Sequence, residues 1–246
     1  MKAIILAAGK GTRMGDLTKE MPKPMLEVKG RPILSHIIEG LRDAGVREFA
    51  IVTGFQAEVI EEYFKDGAAL GVSIQYARQI TQDGTGKAPE YAKEIVGDSP
   101  FVLTYGDILV NPNTYANILQ AYGAGKTNGV VTAKPGAEVK KGGILVADAT
   151  ETLVKVVEKP SDEDIERLEA NGEVSKGGPY LYNAGVYLFE PELFSFTAKL
   201  EKSPRGEYEL TDAITALVDA GRSLRVCQIL DDWVDVRDPG VLESIQ

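Results

Sequence analysis

Segments with the pattern of buried strands alternate with helical segments through the first part of the chain, and this alternation limits the possible folds more than any other feature. Each predicted strand is a short continuous apolar run, which is typical of a strand covered on both faces. The predicted strands are Ala3–Ala7, Phe49–Thr53, Val72–Ala77 and Phe101–Thr104, and the predicted helices are Pro32–Ala44, Ala57–Phe64 and Ala88–Val96. Alternating strands and helices form βαβ units, so we predict an open, mostly parallel, twisted α/β sheet flanked by helices up to about residue 110.

The second half of the chain mixes its elements less regularly. Strands are predicted at Gly129–Ala133, Gly143–Ala147, Thr152–Val157 and Tyr182–Phe189, and helices at Ser161–Asn171 and Glu209–Ala220. No segment is rich enough in Pro, Gly or Ser to divide the chain, so we expect one domain over residues 1–246. Residues 1–110 would form the open sheet and residues 111–246 a smaller, mixed β part.

Charge and composition exclude several classes of protein. The chain has 27 Lys and Arg against 37 Asp and Glu, a net charge of −10, which argues against a general binder of nucleic acid or anionic membranes. Its one cysteine, Cys227, cannot form an internal disulfide, as expected in a reducing compartment. The N-terminal apolar run is short and interrupted by glycines, and no run is long enough to span a membrane. We therefore expect a cytoplasmic protein.

A glycine-rich loop follows the first predicted strand directly. Gly9 and Gly11 would allow positive φ angles and bring backbone N–H groups close to a ligand, and such concavities bind phosphate. Lys10 and Arg13 would add positive charge. The spacing matches neither the dinucleotide fingerprint nor the ATPase phosphate loop. On the glycines alone, a tight turn between strand and loop is an equally good interpretation.

The next segment favours the phosphate-binding interpretation, because Pro22 and Pro24 hold the flanks of Lys23 in extended conformation. The sequences LAAGKGTRM and PKPMLEVKGRPIL, in this order, resemble the signature of the sugar-1-phosphate nucleotidylyltransferases. Among these nucleotide-sugar pyrophosphorylases, the chain is most similar to the glucose-1-phosphate thymidylyl- and uridylyltransferases. The resemblance covers nearly the whole chain and implies a Rossmann-like, GT-A-like sheet. It assigns nucleotide binding to Leu6, Ala8, Gly9, Gly11 and Thr12. It implies a catalytic role for Arg13, Lys23 and Lys159, of which Arg13 and Lys23 would hold the triphosphate.

Two aspartates are candidates for metal binding. Asp107 follows the strand Phe101–Thr104, and ligands bind at the carboxyl ends of strands in open parallel sheets. Asp235 follows another short apolar segment. Taken alone, each is more often a turn or cap residue. The resemblance implies otherwise, since the family's GD and WxD motifs supply its Mg²⁺ ligands. Tyr105 stands where many relatives have Asn or Leu, and Arg237 where many have Gly.

The resemblance also implies how the base is recognised. Gln79 and Gly84 have the spacing of the nucleobase pocket in thymidylyl- and uridylyltransferases, where a glutamine amide can pair with a pyrimidine. This favours UTP or dTTP. Lys87 either contacts phosphate or is solvated, and we favour solvation.

Sugar recognition is assigned by the same resemblance to the second half. Glu158 and Lys159 match an EKP motif, in which the carboxylate accepts hydrogen bonds from sugar hydroxyls and the lysine neutralises the sugar phosphate. Asn183 belongs to an NAG segment that meets the sugar, and Gly143 allows a close backbone approach. The stretch SPRGEYELTD, from Ser203 to Asp212, is expected to shape the sugar-side wall.

The function implied is transfer of a nucleotidyl group from UTP or dTTP to a sugar 1-phosphate, with glucose 1-phosphate favoured and Mg²⁺ as cofactor. Residues 1–110 would bind the nucleotide and residues 111–246 the sugar. The sequence stops soon after Asp235, so we expect neither an acyltransferase domain nor a regulatory extension. CTP or GTP with another phosphorylated sugar or alcohol remains an alternative, as does a non-catalytic subunit. Family members suggest a dimer or tetramer, without nucleic-acid or membrane partners.

Overall fold

The computed structural model describes residues 1–125, 127–136 and 138–246. The strands are β1 (Lys2–Ala7), β2 (Glu27–Val28), β3 (Arg31–Pro32), β4 (Glu48–Thr53), β5 (Ser73–Arg78), β6 (Phe101–Tyr105), β7 (Ile108–Val110), β8 (Gly129–Pro135), β9 (Gly143–Ala147), β10 (Leu153–Glu158), β11 (Leu181–Phe189), β12 (Leu224–Gln228) and β13 (Trp233–Asp235). The α-helices are α1 (Ile33–Asp43), α2 (Ala57–Phe64), α3 (Lys93–Val96), α4 (Asn113–Gly123), α5 (Asp162–Ala170), α6 (Leu193–Thr197), α7 (Leu210–Asp219) and α8 (Pro239–Ser244).

One sheet runs through both halves of the chain. Its first part has the parallel order β5-β4-β1-β6, as the alternation of elements predicts. Strand β11 then pairs antiparallel with β6, and β11 also pairs antiparallel with β8 and with β9. Strand β10 extends the sheet beyond β9, and β12 runs parallel to β8. The predicted open α/β sheet with a mixed second part is confirmed.

The sheet is buried on both faces because side chains alternate along its central strands. In β1, Ile5 packs into the cluster that holds α1, whereas Ile4 packs into the cluster that holds α6 and α7. A third, smaller cluster joins α5 to β9 and includes Ile144 and Leu168. The continuous apolar run of β1 is therefore explained by burial on two sides, and the ends of its parallel strands are free for ligands.

Several elements differ from those predicted. Residues Ala88–Ala92 form a 3-10 turn and only Lys93–Val96 is α-helical, because Pro89 stands in the first turn and Gly97 ends the segment. The helix α4 and the strand β12 were not predicted. The short strands β7 and β13 pair with each other as a separate antiparallel ribbon, which no local pattern indicates. None of the described helices combines the length and apolar character needed to cross a bilayer.

Candidate active site

Three neighbouring cavities open at the carboxyl ends of the parallel strands and meet at Lys23 and Asp107. The first, of about 330 Å³, lies beside the glycine loop and the strand ends; the second, of about 290 Å³, faces β9, β10 and β11; the third, of about 260 Å³, lies under the turn after Gly11. We call them the base-side, sugar-side and loop-side cavities. Every site residue that the sequence predicts lines one of them: Leu6, Ala8, Gly9, Gly11, Thr12, Arg13, Lys23, Gln79, Gly84, Asp107, Gly143, Glu158, Lys159, Asn183 and Asp235.

The two glycines of the loop have different structural roles. Gly11 has φ +62°, and a Cβ there would lie 3.0 Å from the Cβ of Lys23. Only glycine satisfies both the left-handed conformation and this close approach. Gly9 does not have a positive φ, so the sequence-based expectation is wrong for this residue. A Cβ at Gly9 would meet no described atom within 4 Å, which leaves space beside the base-side cavity.

Lys23 and Asp107 form the central ion pair of the site. The Lys23 Nζ lies 2.5 Å from Asp107 Oδ2, and both side chains are largely buried, with 12% and 29% of their surface exposed. Asp107 follows β6, and the N–H of Gly106 donates to the carbonyl of Leu6, which ties this turn to β1. A lysine already paired with a carboxylate can exchange that partner for a phosphate oxygen without leaving the cavity.

The ribbon of β7 and β13 brings the second aspartate to the first. Asp235 is the last residue of β13 and pairs with Ile108, next to Asp107. The N–H of Val236 donates to the carbonyl of Asp107 at 3.0 Å. Burial raises the pKa of Asp235, and the charge of Asp107 raises it further, while the cations Lys23, Arg237 and Arg13 oppose the rise. The two carboxylates thus share one partly desolvated place.

This donor set fits a hard divalent cation that takes its remaining ligands from the substrate. Among the residues that the structure describes, no group of three His, Cys, Asp or Glu side chains could enclose a metal ion. Two carboxylates are nevertheless sufficient for a cation such as Mg²⁺, which usually keeps several waters and binds phosphate oxygens. A cation between Asp107 and Asp235 would also relieve the repulsion that raises the pKa of Asp235.

Gln79 and Gly84 both line the base-side cavity. Gln79 is 7% exposed and its backbone N–H donates to the carbonyl of Thr53, so its position at the end of β5 is fixed. At Gly84, with φ +123°, a Cβ would lie 2.6 Å from the backbone nitrogen of Tyr208. Glycine at this position is therefore required for packing against the backbone of Tyr208. Gln82, which the sequence analysis did not select, also lines this cavity and donates to the carbonyl of Ala8 at 2.8 Å.

The stretch from Ser203 to Asp212 closes the cavities from the second half. The N–H of Tyr208 donates to the carbonyl of Asp83, and the carbonyl of Tyr208 accepts from the N–H of Gly86, each at 2.8 Å. Side chains of this stretch line the sugar-side cavity, namely Arg205, Glu207, Glu209 and Thr211. The expected wall is present, and its charged residues face the cavity directly. Their alternation along SPRGEYELTD was the available signal for this role.

Glu158 is a carboxyl group of the sugar-side cavity whose pKa is strongly perturbed. Burial raises the pKa of Glu158 to about 7, the charge of Glu209 adds to the rise, and Arg205 opposes it. Arg205 itself binds Glu209 at 2.7 Å and lies 3.9 Å from Glu158. Gly143 pairs with Glu158 across β9 and β10, and a Cβ at Gly143 would lie 3.2 Å from Glu158 Oε2. Glycine here gives the carboxyl room to face the cavity.

Lys159 extends from the end of β10 into the same cavity. Its φ is +45°, and its N–H donates to the carbonyl of Gly142 at 2.5 Å. The side chain is exposed, and among the described residues no carboxylate forms an ion pair with it. Lys159 is thus available to an anionic ligand.

Asn183 is held by the phenol of Tyr187, whose hydroxyl donates to Asn183 Oδ1 at 3.0 Å. The register of β11 shifts between these two residues, and Gly185, with φ +77°, lies in the irregular segment. A Cβ at Gly185 would lie 3.0 Å from the ring of Tyr105. Tyr105, which the sequence flagged as a departure from its relatives, lines both the base-side and the sugar-side cavity.

Lys87 lines none of the three cavities and its side chain is largely buried, so the interpretation of Lys87 as a solvated residue is wrong. Its Nζ donates to the carbonyls of Thr197 and Ala198, at 2.6 and 3.1 Å, and lies 3.2 Å from Glu90. These carbonyls stand at the end of α6, where a lysine satisfies acceptors that the helix leaves free. Lys87 joins the two halves of the chain.

Comparison with known proteins gives matches over almost the whole chain. The family model for nucleotidyl transferases matches residues 2–245. The chain is 32% identical over 235 residues to the UTP–glucose-1-phosphate uridylyltransferase AglF of Haloferax volcanii, covering 95% of this chain and 89% of that protein. It is 34% identical over 239 residues to the bifunctional protein GlmU of Methanococcus maripaludis, covering 97% of this chain and 52% of GlmU. The chain thus spans about half the length of the GlmU relatives.

A solved UDP-glucose pyrophosphorylase in complex with UDP-glucose superposes with a TM-score of 0.84. That likeness covers 99% of this chain and 96% of the other, at 24% identity, and it establishes the fold alone. The sequence and structural matches extend over nearly every residue that forms the three cavities. The family match from residue 2 to residue 245, together with the matches to AglF and GlmU, shows that this chain belongs to the nucleotidyl transferase family.

Proposed function

We propose that the chain transfers a nucleotidyl group from a nucleoside triphosphate, UTP or dTTP, to a sugar 1-phosphate, with glucose 1-phosphate favoured. The observation that carries this proposal is the meeting of the three cavities at Lys23 and Asp107. A base, a triphosphate and a sugar phosphate each have a separate cavity, and the three lead to one point. The similarity to AglF, a UTP–glucose-1-phosphate uridylyltransferase, supports the choice of substrates.

The proposed reaction is an in-line displacement at the α-phosphorus. An oxygen of the sugar 1-phosphate forms the new bond, the bond to the oxygen that bridges to the β-phosphate breaks, and that oxygen leaves with the electron pair as part of pyrophosphate. The attacking phosphate is already anionic at neutral pH, so no general base is needed. Rate acceleration then depends on positioning and on neutralising the charge of the transition state.

The chain supplies the charges for both substrates. Arg13 and Lys23 hold the triphosphate, and Lys159, which has no carboxylate partner among the described residues, holds the attacking phosphate. Asp107 and Asp235 would hold Mg²⁺, which neutralises phosphate charge when bound. Residues 1–110 thereby bind the nucleotide and residues 111–246 the sugar, within one domain.

Base and sugar selection follow from the two cavities that flank this centre. In the base-side cavity the amide of Gln79 can donate to a pyrimidine carbonyl and accept from its N3–H. In the sugar-side cavity ionised Glu158 can accept from two neighbouring hydroxyls, and Asn183 offers an amide that Tyr187 orients. Gly143 leaves the Glu158 carboxyl free to approach the sugar.

The test is pyrophosphate release from the full chain with Mg²⁺, with common nucleoside triphosphates against a panel of sugar 1-phosphates. We expect turnover with UTP or dTTP and one hexose 1-phosphate. Turnover with CTP or GTP would discard the assignment of Gln79. Absence of turnover with every pair, from folded protein that binds nucleotide, would favour a non-catalytic subunit.

A variant of the metal site completes the test. Asp107→Asn is expected to lower kcat by about a hundredfold or more while far-UV circular dichroism stays unchanged. Asp98→Asn changes an exposed aspartate outside the cavities and serves as the matched control. Near-normal turnover of Asp107→Asn would overturn the metal assignment.

A further inference from the structure

Arg237 is a charged residue of the loop-side cavity to which the proposed function assigns no role. It lies two residues beyond Asp235, between β13 and α8, and its backbone is fixed on both sides. Its N–H donates to the carbonyl of Asp235 at 2.8 Å. Asp238 caps α8 by accepting from the N–H of Val241 at 3.0 Å. These contacts limit the directions that the Arg237 side chain can take.

The loop-side cavity concentrates positive charge. It is lined by Arg13, Lys23 and Arg237, with Asp107 as its one carboxylate, and by the backbone of Gly11 and Thr12. Asp107 is already paired with Lys23 at 2.5 Å. Arg13 and Arg237 therefore have no further carboxylate within the lining of this cavity to pair with, in a chain whose net charge is −10. Such a concentration favours a ligand with several negative charges.

The hydrogen-bonding state of Arg237 indicates where that ligand would bind. Its Nε lies 3.8 Å from Asp235 Oδ2, which is beyond hydrogen-bonding distance. Its Nη1 is buried and has no acceptor among the described residues. A buried donor without a partner is costly, and a guanidinium presents its donors in the fork that suits phosphate oxygens. None of the Arg237 guanidinium nitrogens donates a hydrogen bond to a described residue, and the side chain is 23% exposed and lines the cavity, so it can turn a donor toward a phosphate group.

We propose that Arg237 binds the terminal phosphates of the nucleoside triphosphate, together with Arg13, and holds the pyrophosphate that leaves. This inference rests on the proposed function and adds a residue to it. Arg237 donates to the phosphate oxygens and stabilises the negative charge that the leaving oxygen acquires as its bond to the α-phosphorus breaks. It transfers no proton. Because it touches the leaving group, Arg237 is a catalytic residue.

The first experiment measures binding of inorganic pyrophosphate to the full chain by calorimetry, without divalent metal. Arg237→Gln is expected to weaken binding by about ten- to a hundredfold, as for the loss of a hydrogen bond to a charged group. Arg237→Lys keeps the charge but loses the forked donor geometry, and its affinity for pyrophosphate is expected to lie between those of the unmodified chain and Arg237→Gln. Arg225→Gln removes an arginine of β12 that pairs with Glu151 and lines none of the three cavities, and this variant should bind pyrophosphate like the unmodified chain. Equal affinity in Arg237→Gln would overturn the proposal.

The second experiment separates leaving-group binding from a general structural effect. In the reverse reaction, Arg237→Gln is expected to raise the KM for pyrophosphate and to leave the KM for the nucleotide sugar within about twofold. A rise in both constants would show that Arg237 only supports Asp235, and would overturn the proposal. Should Arg237→Gln fail to fold, Arg237→Lys gives the same comparison, and a smaller rise in the KM for pyrophosphate is expected for it.

The calorimetric test does not depend on turnover, so the two proposals can fail separately. If the unmodified chain binds pyrophosphate and Arg237→Gln does not, the assignment of Arg237 stands even where no nucleotidyl transfer is found. If transfer occurs but both variants of Arg237 keep the affinity and the KM for pyrophosphate, the proposed function stands and the assignment of Arg237 falls.

Discussion

At the scale of single residues, Gly9 and Gly11 occupy one loop but stand in opposite relations to the protein around them. Gly11 is required by its own φ of +62° and by contact with Lys23, whereas a Cβ at Gly9 would point into open space. A steric requirement within the protein affects folding, and space beside a cavity affects only what enters the cavity. Substitution of Gly11 should therefore affect the stability of the fold, and substitution of Gly9 should affect the binding of a ligand.

Alanine substitution at each position tests this separation. We expect Gly11→Ala to lower the free energy of unfolding by about 1–3 kcal/mol, because the left-handed conformation is strained for a side chain. We expect Gly9→Ala to change it by less than about 0.5 kcal/mol and to raise the KM for the nucleoside triphosphate by about tenfold. Urea unfolding and initial rates give the two quantities. Equal stability loss in both variants would contradict this account of the loop.

The buried carboxyl of Glu158 in the sugar-side cavity makes the stability of the protein depend on pH. Its folded-state pKa of about 7 is above the ordinary value of 4.5, chiefly because the carboxyl is buried. The folded chain thus holds this proton more tightly than the unfolded chain does. The resulting contribution to stability is fully present below about pH 4.5 and is lost as the pH rises through about 7.

Removal of this carboxyl should therefore change the pH dependence of stability. Between about pH 5 and about pH 8, the unmodified chain is expected to lose stability relative to Glu158→Gln, since only the former must bury a charge at high pH. Urea unfolding of both proteins over this range measures the difference. Glu163→Gln, at an exposed residue of α5, is the control and should follow the unmodified chain. A difference that does not vary with pH would contradict the perturbed pKa of Glu158.

At the scale of elements, the ribbon of β7 and β13 determines how the two aspartates meet. Trp233 begins β13, and its Nε1 donates to the carbonyl of Ala184 at 2.8 Å. Its ring also meets Tyr182 edge to face, with centroids 5.2 Å apart. The ribbon is thereby attached to β11 two residues before Asp235. Trp233 is the one tryptophan of the chain, so its fluorescence reports on the ribbon alone.

We expect the emission of Trp233 to change when Mg²⁺ and a nucleoside triphosphate are added together, because binding at Asp107 and Asp235 alters the charge beside the ribbon. Trp233→Phe should remove the signal and lower the free energy of unfolding by about 1–3 kcal/mol, since the carbonyl of Ala184 loses its donor. Fluorescence titration and urea unfolding measure both effects. An unchanged emission, under conditions where calorimetry shows binding, would contradict the link between the ribbon and the site.

Elements with a local signal could be predicted from the sequence, and those that depend on distant partners could not. Strand β1 and helix α1 each carry their own apolar pattern, with Pro32 before the helix and Gly45 after it. Strands β7 and β13 are three residues each and are strands only because they pair. The resemblance assigned Asp235 to the same site as Asp107 without indicating this ribbon, since a motif records the residue and not the contact that positions it.

Residues that reach the site through distant contacts were likewise not selected by the sequence analysis. Tyr105 and Arg237 were noticed as departures from relatives, but no spacing shows that Arg237 lines a cavity with Arg13. Gln82 and Arg205 lie in segments that meet through long-range hydrogen bonds, among them those of Tyr208 with Asp83 and Gly86. A hydrogen bond across more than a hundred residues leaves no local periodicity, and such contacts require the folded chain.

At the scale of the whole molecule, the site is a local exception to the charge of the protein. The net charge is −10, yet Arg13, Lys23 and Arg237 converge on one cavity. Charge interactions between exposed groups fade within about 10 Å at ordinary salt, and they are screened less inside a cavity. The overall charge therefore does not prevent phosphate binding, and the cluster gives the molecule one place at which a polyanion is favoured.

The sheet is continuous through the whole molecule, because the two halves of the chain join along one strand pair. Residues Val186 to Phe189 of β11 pair with Thr104 to Phe101 of β6, within the buried centre of the sheet. Neither half can unfold without exposing the apolar edge of the other. We therefore expect the chain to unfold in one cooperative transition, as a single domain does.

Two fluorescent reporters test this expectation. Trp233 reports on the second half, and the double variant Trp233→Phe with Tyr63→Trp moves the reporter to an exposed residue of α2 in the first half. Within each protein, the urea midpoint from fluorescence should equal the midpoint from far-UV circular dichroism, which follows both halves together.

A fragment of residues 1–110 should remain unfolded, because the edge of β6 then lacks β11. Separate midpoints, or a folded fragment, would instead show that the nucleotide-side half is an independent unit and that the strand pair between β6 and β11 couples it only weakly to the rest.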